Sequence, residues 1–298
     1  MLSILIPVYN YNCVALVKEL QKQAVETSIP FEIIVGDDGS NLFTKENKEI
    51  NNLKFCTFIE NPNNIGRSAL RNKLAKLAQY SYLLFLDADT FPVYKTFITN
   101  YLKSITPKTE VISGGLQYDK AYTPKDHEIL RYTFGMHREE IPLEVREKKP
   151  YATFLSSNFL IAKKLFNTVS FNSTIPNLAC EDIVFAMDLK KKAIELKHTD
   201  NPVFHNGLET NAIFLQKSID SLRSRKYMVQ KGLLDPNLTK ITSLANQLEK
   251  FCISGMIKIV YRLFKSTLKR NILSKNPSLK FFDFYRLGYY LSDNEEIN

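Results

Sequence analysis

Four short, largely apolar runs punctuate residues 1–90: Leu2 to Val8, Phe31 to Val35, Phe55 to Ile59 and Tyr82 to Leu86. A strand with one wet face alternates apolar and polar residues. These runs do not, as expected of a parallel sheet covered by helices on both faces. Between the first two runs, Val14, Leu16, Val17, Leu20 and Ala24 recur at helical spacing. Residues 41–52 are polar and predict a helix, and Ser68 to Gln79 is rich in Ala, Leu and Lys. The alternation predicts an α/β fold, an open, mostly parallel sheet flanked by helices. Residues 1–90 are read as one half of a domain that runs to 212. Residues 91–212 are its mixed second half, with strands expected at Val111–Ser113, Ser157–Ala162 and Pro202–Phe204. Residues 120–150 are polar and charged and read as a loop or lid. From 213 to 298 the pattern is that of a helical C-terminal extension.

In open α/β sheets, ligands lie outside the carboxyl ends of the strands. Here the first run ends in Pro7-Val8-Tyr9-Asn10, the second in Gly36-Asp37-Asp38-Gly39-Ser40 and the fourth in Asp87-Ala88-Asp89. These ends predict one crevice. Asp87 and Asp89 are two residues apart, so in an extended chain both point the same way. Two carboxylates beside a buried strand repel each other, and a hard divalent cation such as Mg²⁺ or Mn²⁺ relieves that repulsion. The bland alternative, a solvated acidic turn, fits poorly with the apolar run before it. Tyr9 can stack on a base. Asp38 can accept a hydrogen bond from a base N–H or a ribose hydroxyl, or it is simply the turn residue before Gly39. Asn64-Ile65-Gly66 leads into a helix with Arg67 and Arg71 on one face, an arrangement that suits phosphate but is also common on surfaces. Glu181 and Asp182 open the helical stretch Ile183 to Met187, after a loop holding Ile175-Pro176-Asn177. Acids there can serve the helix dipole, or one can take a proton from a hydroxyl as general base. His205 follows a short apolar strand and is either a core residue or a third metal ligand. His127, His137 and His198 sit in charged contexts and are expected at the surface.

Several classes are set aside. The turn after the first run has no glycine, whereas dinucleotide and methyl-donor folds need a glycine-rich turn there. The cysteines, Cys13, Cys56, Cys180 and Cys252, form no CxxC pair, so reduced, buried thiols are expected. No apolar run reaches the ~18 residues of a membrane span. The N-terminus reads as a strand and not as a signal peptide. A cytoplasmic protein is the expectation.

Taken in order, Ile6-Pro7-Val8-Tyr9-Asn10, Ile34-Val35-Gly36-Asp37-Asp38-Gly39-Ser40, Asn64-Ile65-Gly66 with Arg71-Asn72, Leu86-Asp87-Ala88-Asp89, and Glu181-Asp182 resemble family 2 glycosyltransferases of the GT-A fold. The resemblance spans roughly residues 1–210. It implies a metal-dependent, inverting transfer of a hexosyl or N-acetylhexosaminyl group. The donor would be a nucleotide diphosphate-sugar, commonly UDP-linked, and the acceptor a hydroxyl of a glycan or lipid-linked molecule, as in polysaccharide biosynthesis. Residues 1–90 become the nucleotide-binding half and 91–212 the acceptor half. By the same resemblance Pro7, Tyr9 and Asp38 hold the base, with Asn64, Gly66 and Arg71 near the nucleotide. Asp87, Ala88 and Asp89 hold ribose and metal, with Asp89 the direct ligand. Asp182 matches the usual catalytic base, with Glu181 beside it, and His205 matches a metal- or diphosphate-binding His of some members. Ser156-Ser157-Asn158-Phe159 departs from the small residues many members carry near the donor sugar.

Two rivals share features. A haloacid-dehalogenase-like phosphatase also carries an apolar strand before Asp-x-Asp-Thr, as in Leu86 to Thr90, but that motif opens its domain. Here three strands precede it. A non-catalytic membrane-associated scaffold of the same fold has no need of Asp38, Asp87, Asp89 and Asp182 together.

The net charge of +9 is uneven. Residues 1–100 balance ten basic against ten acidic side chains, while 201–298 hold fifteen against eight. Within 251–286, Lys258, Arg262, Lys265, Lys269, Arg270, Lys275, Lys280 and Arg286 face one acid, Asp283. On a helix the first four of these bases fall within about 60°. Ile253, Met256, Ile257, Val260, Leu263, Phe264 and Leu268 are expected on the opposite side. Such a helix either packs its apolar face on the catalytic domain or docks on an anionic membrane surface, and the second reading puts the protein at the membrane's inner face. Nucleic acid is not expected, since no recognised binding motif accompanies the charge.

Overall fold

The computed structural model describes residues 1–174 and 180–292, so Ile175-Pro176-Asn177 lies outside the described residues. In chain order the strands are β1 Leu2–Val8, β2 Phe31–Asp37, β3 Cys56–Glu60, β4 Tyr82–Leu86, β5 Thr90–Pro92, β6 Val111–Ser113, β7 Leu116–Gln117, β8 Asn158–Ala162, β9 Leu196–His198 and β10 Val203–His205. The helices are α1 Val14–Glu26, α2 Thr44–Asn47, α3 Arg67–Leu77, α4 Phe97–Ser104, α5 Ile129–Arg138 and α6 Leu143–Lys148, then α7 Lys163–Phe166, α8 Glu181–Lys191, α9 Asn211–Gln230, α10 Lys240–Lys250, α11 Ser254–Ile272 and α12 Leu279–Leu291. They fall into two compact units. The described residues of the first are 1–119, 140–174 and 181–207; those of the second are 120–139, 180 and 208–292.

The first unit is built on a seven-stranded sheet of order β3-β2-β1-β4-β8-β6-β9. Strands β1 to β4 are parallel, and β8 runs antiparallel between β4 and β6. The continuous apolar runs have a direct cause. Ile4, Ile6 and Val8 of β1 enter one core cluster with Val17 and Leu20 of α1. Leu5, pointing the other way, enters a second with Leu70 and Leu74 of α3. Both faces of the strand are covered, so neither can be polar. The order β3-β2-β1-β4 reverses direction at β1, leaving a crevice at the carboxyl ends of β1 and β4. A smaller sheet, β5-β10-β7, follows β4 directly. Its β10 pairs antiparallel with β5, setting His205 opposite Thr90.

The far side of the sheet is packed with phenylalanine. Phe85 and Phe159 stack with ring centres 4.9 Å apart, and Phe171 and Phe185 at 4.4 Å. Phe185 belongs to α8, so this cluster fixes the helix that opens with Glu181 and Asp182.

In the second unit, Phe214, Leu215, Ile219 and Leu222 of α9 meet Tyr261, Leu268 and Ile272 of α11, and Phe282 and Tyr285 of α12. Residues 120–150, read as a loop, contain α5 and α6. Helix α5 is amphipathic and packs its apolar side within the second unit. Its Leu130 is fully buried, and the Phe134 ring packs 5.2 Å from that of Phe214.

Two local expectations fail. His198 is buried in β9, where its Nδ1 accepts from Arg146 at 3.1 Å and its Nε2 donates to the Pro150 carbonyl at 3.0 Å. Burial, and then the Arg146 charge, pushes its pKa down to about 4. Cys252 is exposed, unlike Cys13, Cys56 and Cys180.

Phe185→Ala should lower stability by about 3–5 kcal/mol, since removing a buried ring costs both transfer energy and cavity. Urea denaturation measures this. A loss below 1 kcal/mol would mean α8 is not held by the cluster.

Candidate active site

The ends of β1 and β2 are tied by short side chains. Asp37 accepts hydrogen bonds from the Ser40 amide (3.0 Å) and the Ser40 hydroxyl. Ser40 Oγ accepts from the Asn10 amide at 2.7 Å, and Asn10 Oδ1 accepts from the amides of Asn41 and Leu42. Pro7 lies in β1 opposite Gly36, and Tyr9, just beyond the strand, is 51% exposed. Its ring is open to solvent, as a stacking platform must be.

Asp38 is only 3% exposed. Its two oxygens accept from the amides of Ile65 (2.8 Å) and Gly66 (3.0 Å), so its first role is to clamp the loop before α3. Each oxygen keeps a second lone pair. Gly39 serves the same clamp. It sits at φ +73°, and a Cβ there would fall 2.8 Å from the backbone of Asn63 and Asn64. Asn64 Oδ1 also accepts from the Gly66 amide at 3.1 Å. Gly66, at φ +87°, turns the chain into α3.

Arg71 is buried beside the end of β4, its side chain 3% exposed. Nη2 donates to Asp87 Oδ1 at 2.7 Å and Nη1 to Glu181 Oε1 at 3.3 Å. The guanidinium lies over the Phe171 ring, 5.2 Å from its centre. Arg67 reaches the same Glu181 oxygen at 3.7 Å. Burial alone would lower the Arg71 pKa, but Asp87 and Glu181 outweigh it and raise it. Burial alone would raise Glu181, but Arg71 and Arg67 hold it below the usual carboxylate range. Arg71 and Glu181 are therefore held in their charged forms, in an acid–base–acid bridge between the end of β4 and α8.

Asp89 faces the other way. The turn is set by Thr90, whose amide (3.1 Å) and hydroxyl (2.7 Å) both donate to the Asp87 carbonyl, while Ala88 is buried. Asp89 Oδ2 lies 3.6 Å from His205 Nε2, and the Asp89 carbonyl accepts from the Asn206 amide at 2.8 Å. Gly207 makes room for it, since a Cβ there would sit 2.1 Å from Asp89 Oδ2. Tyr118 stacks on the His205 ring at 5.7 Å. Burial, and then the Asp89 charge, raises the Tyr11 pKa, which puts that phenol within the field of Asp89. Asp89 and His205 offer an oxygen and a nitrogen donor that a divalent cation accepts. Among the described residues no three His, Cys, Asp or Glu side chains gather as a complete cage. The residues present thus fit a cation that takes its other ligands from diphosphate and water.

Asp182 follows Glu181 in the first turn of α8, and its Oδ1 accepts from the Ile183 amide at 2.8 Å. The structure brings together Arg71, Asp87 and Glu181, and separately Asp89 and His205; Asp38 stands with Ile65 and Gly66. Sequence reasoning missed Tyr11, Tyr118 and Gly207. Only Gly207, directly after His205-Asn206, left a signal. It also missed why Asn158 departs from a small residue. Its amide donates to the carbonyls of Gly115 and Asn201 and accepts from the Tyr101 hydroxyl at 2.6 Å.

A carboxylate whose folded pKa is depressed stabilises the fold above its ordinary value, about 4.3 for Glu, and loses that contribution as pH falls below it. Glu181→Gln should therefore cost about 3 kcal/mol near neutral pH. The gap from the native chain should close on acidification. Urea midpoints across pH measure both; a gap independent of pH would show that charge is not the cause.

Known proteins share the fold. A family model described as glycosyl transferase family 2 matches residues 3–170. No curated protein sequence matches the chain. Among solved structures, the mannosyltransferase PcManGT from Pyrobaculum calidifontis, in complex with GDP-Man and Mn²⁺, is similar with a TM-score of 0.60 and 13% identity, over 97% of this chain and 84% of that one. TarS of S. aureus is similar at a TM-score of 0.51 and 17% identity, over 76% of this chain and 39% of that one. This chain thus matches well under half of TarS. At such identities these likenesses speak for the fold, which is of the GT-A type. The match to the family model covers more than half of the sequence, and the chain belongs to glycosyl transferase family 2.

Proposed function

We propose that the protein is a metal-dependent, inverting glycosyltransferase. It moves a hexosyl or N-acetylhexosaminyl group from a nucleotide diphosphate-sugar to a hydroxyl of a glycan or lipid-linked acceptor. The observation that carries this reading is the division of labour at the end of β4: Asp87 is held by Arg71, while Asp89 is turned toward His205. A phosphatase nucleophile at Asp87 would be bound to a buried guanidinium instead of facing substrate. The donor is taken to be UDP-linked, on the family resemblance. The similar mannosyltransferase carries GDP-Man with Mn²⁺, so both nucleotides belong in the test.

Asp89 and His205 would hold Mn²⁺ or Mg²⁺. That ion, when bound, offsets charge on the leaving diphosphate. Tyr9 stacks on the base, with Pro7 at the floor of the crevice. Asp38, Asn64 and Gly66 shape the loop beside it, and Asp87 and Ala88 set the turn for the ribose. Asp182 takes the proton of the acceptor hydroxyl as its oxygen attacks the anomeric carbon. The bond to the diphosphate breaks on the opposite face, so the configuration inverts. Glu181, engaged by Arg71 and Arg67, is poorly placed to be that base. A lipid-linked acceptor is met at the inner face of a membrane, where a cytoplasmic chain would dock peripherally. Among the described residues no helix is long and apolar enough to cross one.

Two measurements test the reading. Calorimetry should find UDP or GDP binding that depends on Mn²⁺ in the native chain and is lost in Asp89→Ala. Unchanged metal-dependent affinity in that variant would overturn the metal site. Asp182→Asn should lower turnover by roughly 10²- to 10⁴-fold while leaving donor affinity alone. A near-silent Asp182→Asn beside a severe Glu181→Gln would move the base to Glu181.

A further inference from the structure

Helix α11 has two apolar faces, and only one is used inside the second unit. Tyr261, Leu268 and Ile272 are buried. The Tyr261 ring meets that of Tyr285 at 5.4 Å, and Gly288 of α12 lets it come close, since a Cβ there would fall 2.4 Å from the ring. Almost diametrically opposite, Met256, Ile259 and Leu263 are 61%, 59% and 72% exposed. At about 100° per residue these three lie within roughly 60° of one another. Phe251, at the end of α10, is also exposed at 69%, as is Phe264 of α11 at 53%. The sequence reading grouped Met256, Leu263 and Leu268 on one face. The structure divides them, with Leu268 inward and the other two outward.

The charge beside the ridge is of one sign. Lys258, Arg262, Lys265 and Lys269 form a band along one flank, and Arg270 falls within the ridge itself. No acidic residue occurs between Glu249 and Asp283. We propose that α11 docks flat on an anionic lipid surface, with Met256, Ile259 and Leu263 entering the headgroup boundary and the basic band resting on lipid phosphates. The proposal deepens the peripheral-membrane part of the reading above and is independent of the transfer chemistry. A second copy of the chain is the poorer occupant. A two-fold interface through the ridge would bring two basic bands together. A leaflet instead receives apolar side chains and cations at once, at the depths where each is stable. The helix is about 28 Å long at 1.5 Å per residue, so lying flat it engages all of these groups together.

Co-sedimentation of the full chain with vesicles tests this. Binding is expected to mixed phosphatidylglycerol–phosphatidylcholine vesicles, to weaken with salt, and to be absent with phosphatidylcholine alone. Changing Arg262, Lys265 and Lys269 together to Gln should lower partitioning roughly 100-fold. Met256→Ser with Leu263→Ser should also release the chain, and because these side chains are exposed, thermal melts should show both variants folded. Equal binding to neutral and anionic vesicles would overturn the proposal, as would binding to neither. So would a dimer in light scattering that Leu263→Ser dissolves in a chain that ignores vesicles. UDP and GDP binding read alongside separates the two readings. A chain that docks but binds no nucleotide refutes the transferase and leaves the docking surface standing.

Discussion

A guanidinium buried between two carboxylates organises the first unit. Desolvating Arg71 is expensive, and it is tolerated because Asp87 and Glu181 arrive from opposite sides and the Phe171 ring covers its face. None of these groups is stable there alone. Removing either acid leaves the buried guanidinium with one ion partner instead of two, and removing the base leaves two carboxylates facing each other. The bridge joins the end of a central strand to the start of a helix more than ninety residues later. It thus fixes the start of α8, where Asp182 lies, and engages Asp87 while Asp89 meets His205.

The surrounding architecture serves that arrangement. The reversal of strand order at β1 opens the crevice, and the helices on both faces force the strands to be apolar throughout. Polar chemistry is therefore confined to the loops at the strand ends. Those loops are rigid because their side chains bond one another: Asp37 with Ser40, Ser40 with Asn10, and Asp38 with the loop before α3. The small sheet after β4 brings His205 back beside the turn that holds Asp89.

Much of this was legible in the sequence because local pattern and tertiary environment agree there. The runs at β1, β2 and β4 are apolar on both faces, so the parallel sheet follows from them, and the acids at their ends mark the crevice. What the sequence hid had non-local causes. Arg71 sits at helical spacing from Arg67, and its ion pair with Glu181, 110 positions later, is invisible in local pattern. His198 lies among charged neighbours in the chain, yet Arg146 and Pro150 enclose it. Helix α5 is amphipathic, but it is short and set among charged residues, and its partners Phe214 and Phe282 come from the far end of the chain. The two faces of α11 are separable by periodicity, since Leu268 lies about 120–140° round the helix from Met256 and Leu263, but the sequence reading merged them into one.

The bare backbone at Gly207 has its own consequence. Its missing methyl group leaves the volume that the Asp89 carboxylate fills. Position 207 is thus a steric switch on a carboxylate in the turn between β4 and β5. One carbon atom placed there would turn Asp89 aside with every proposed ligand, charge and hydrogen-bonding group still in the chain. An inert form of the protein made in this way would keep the composition of the site while losing only its shape.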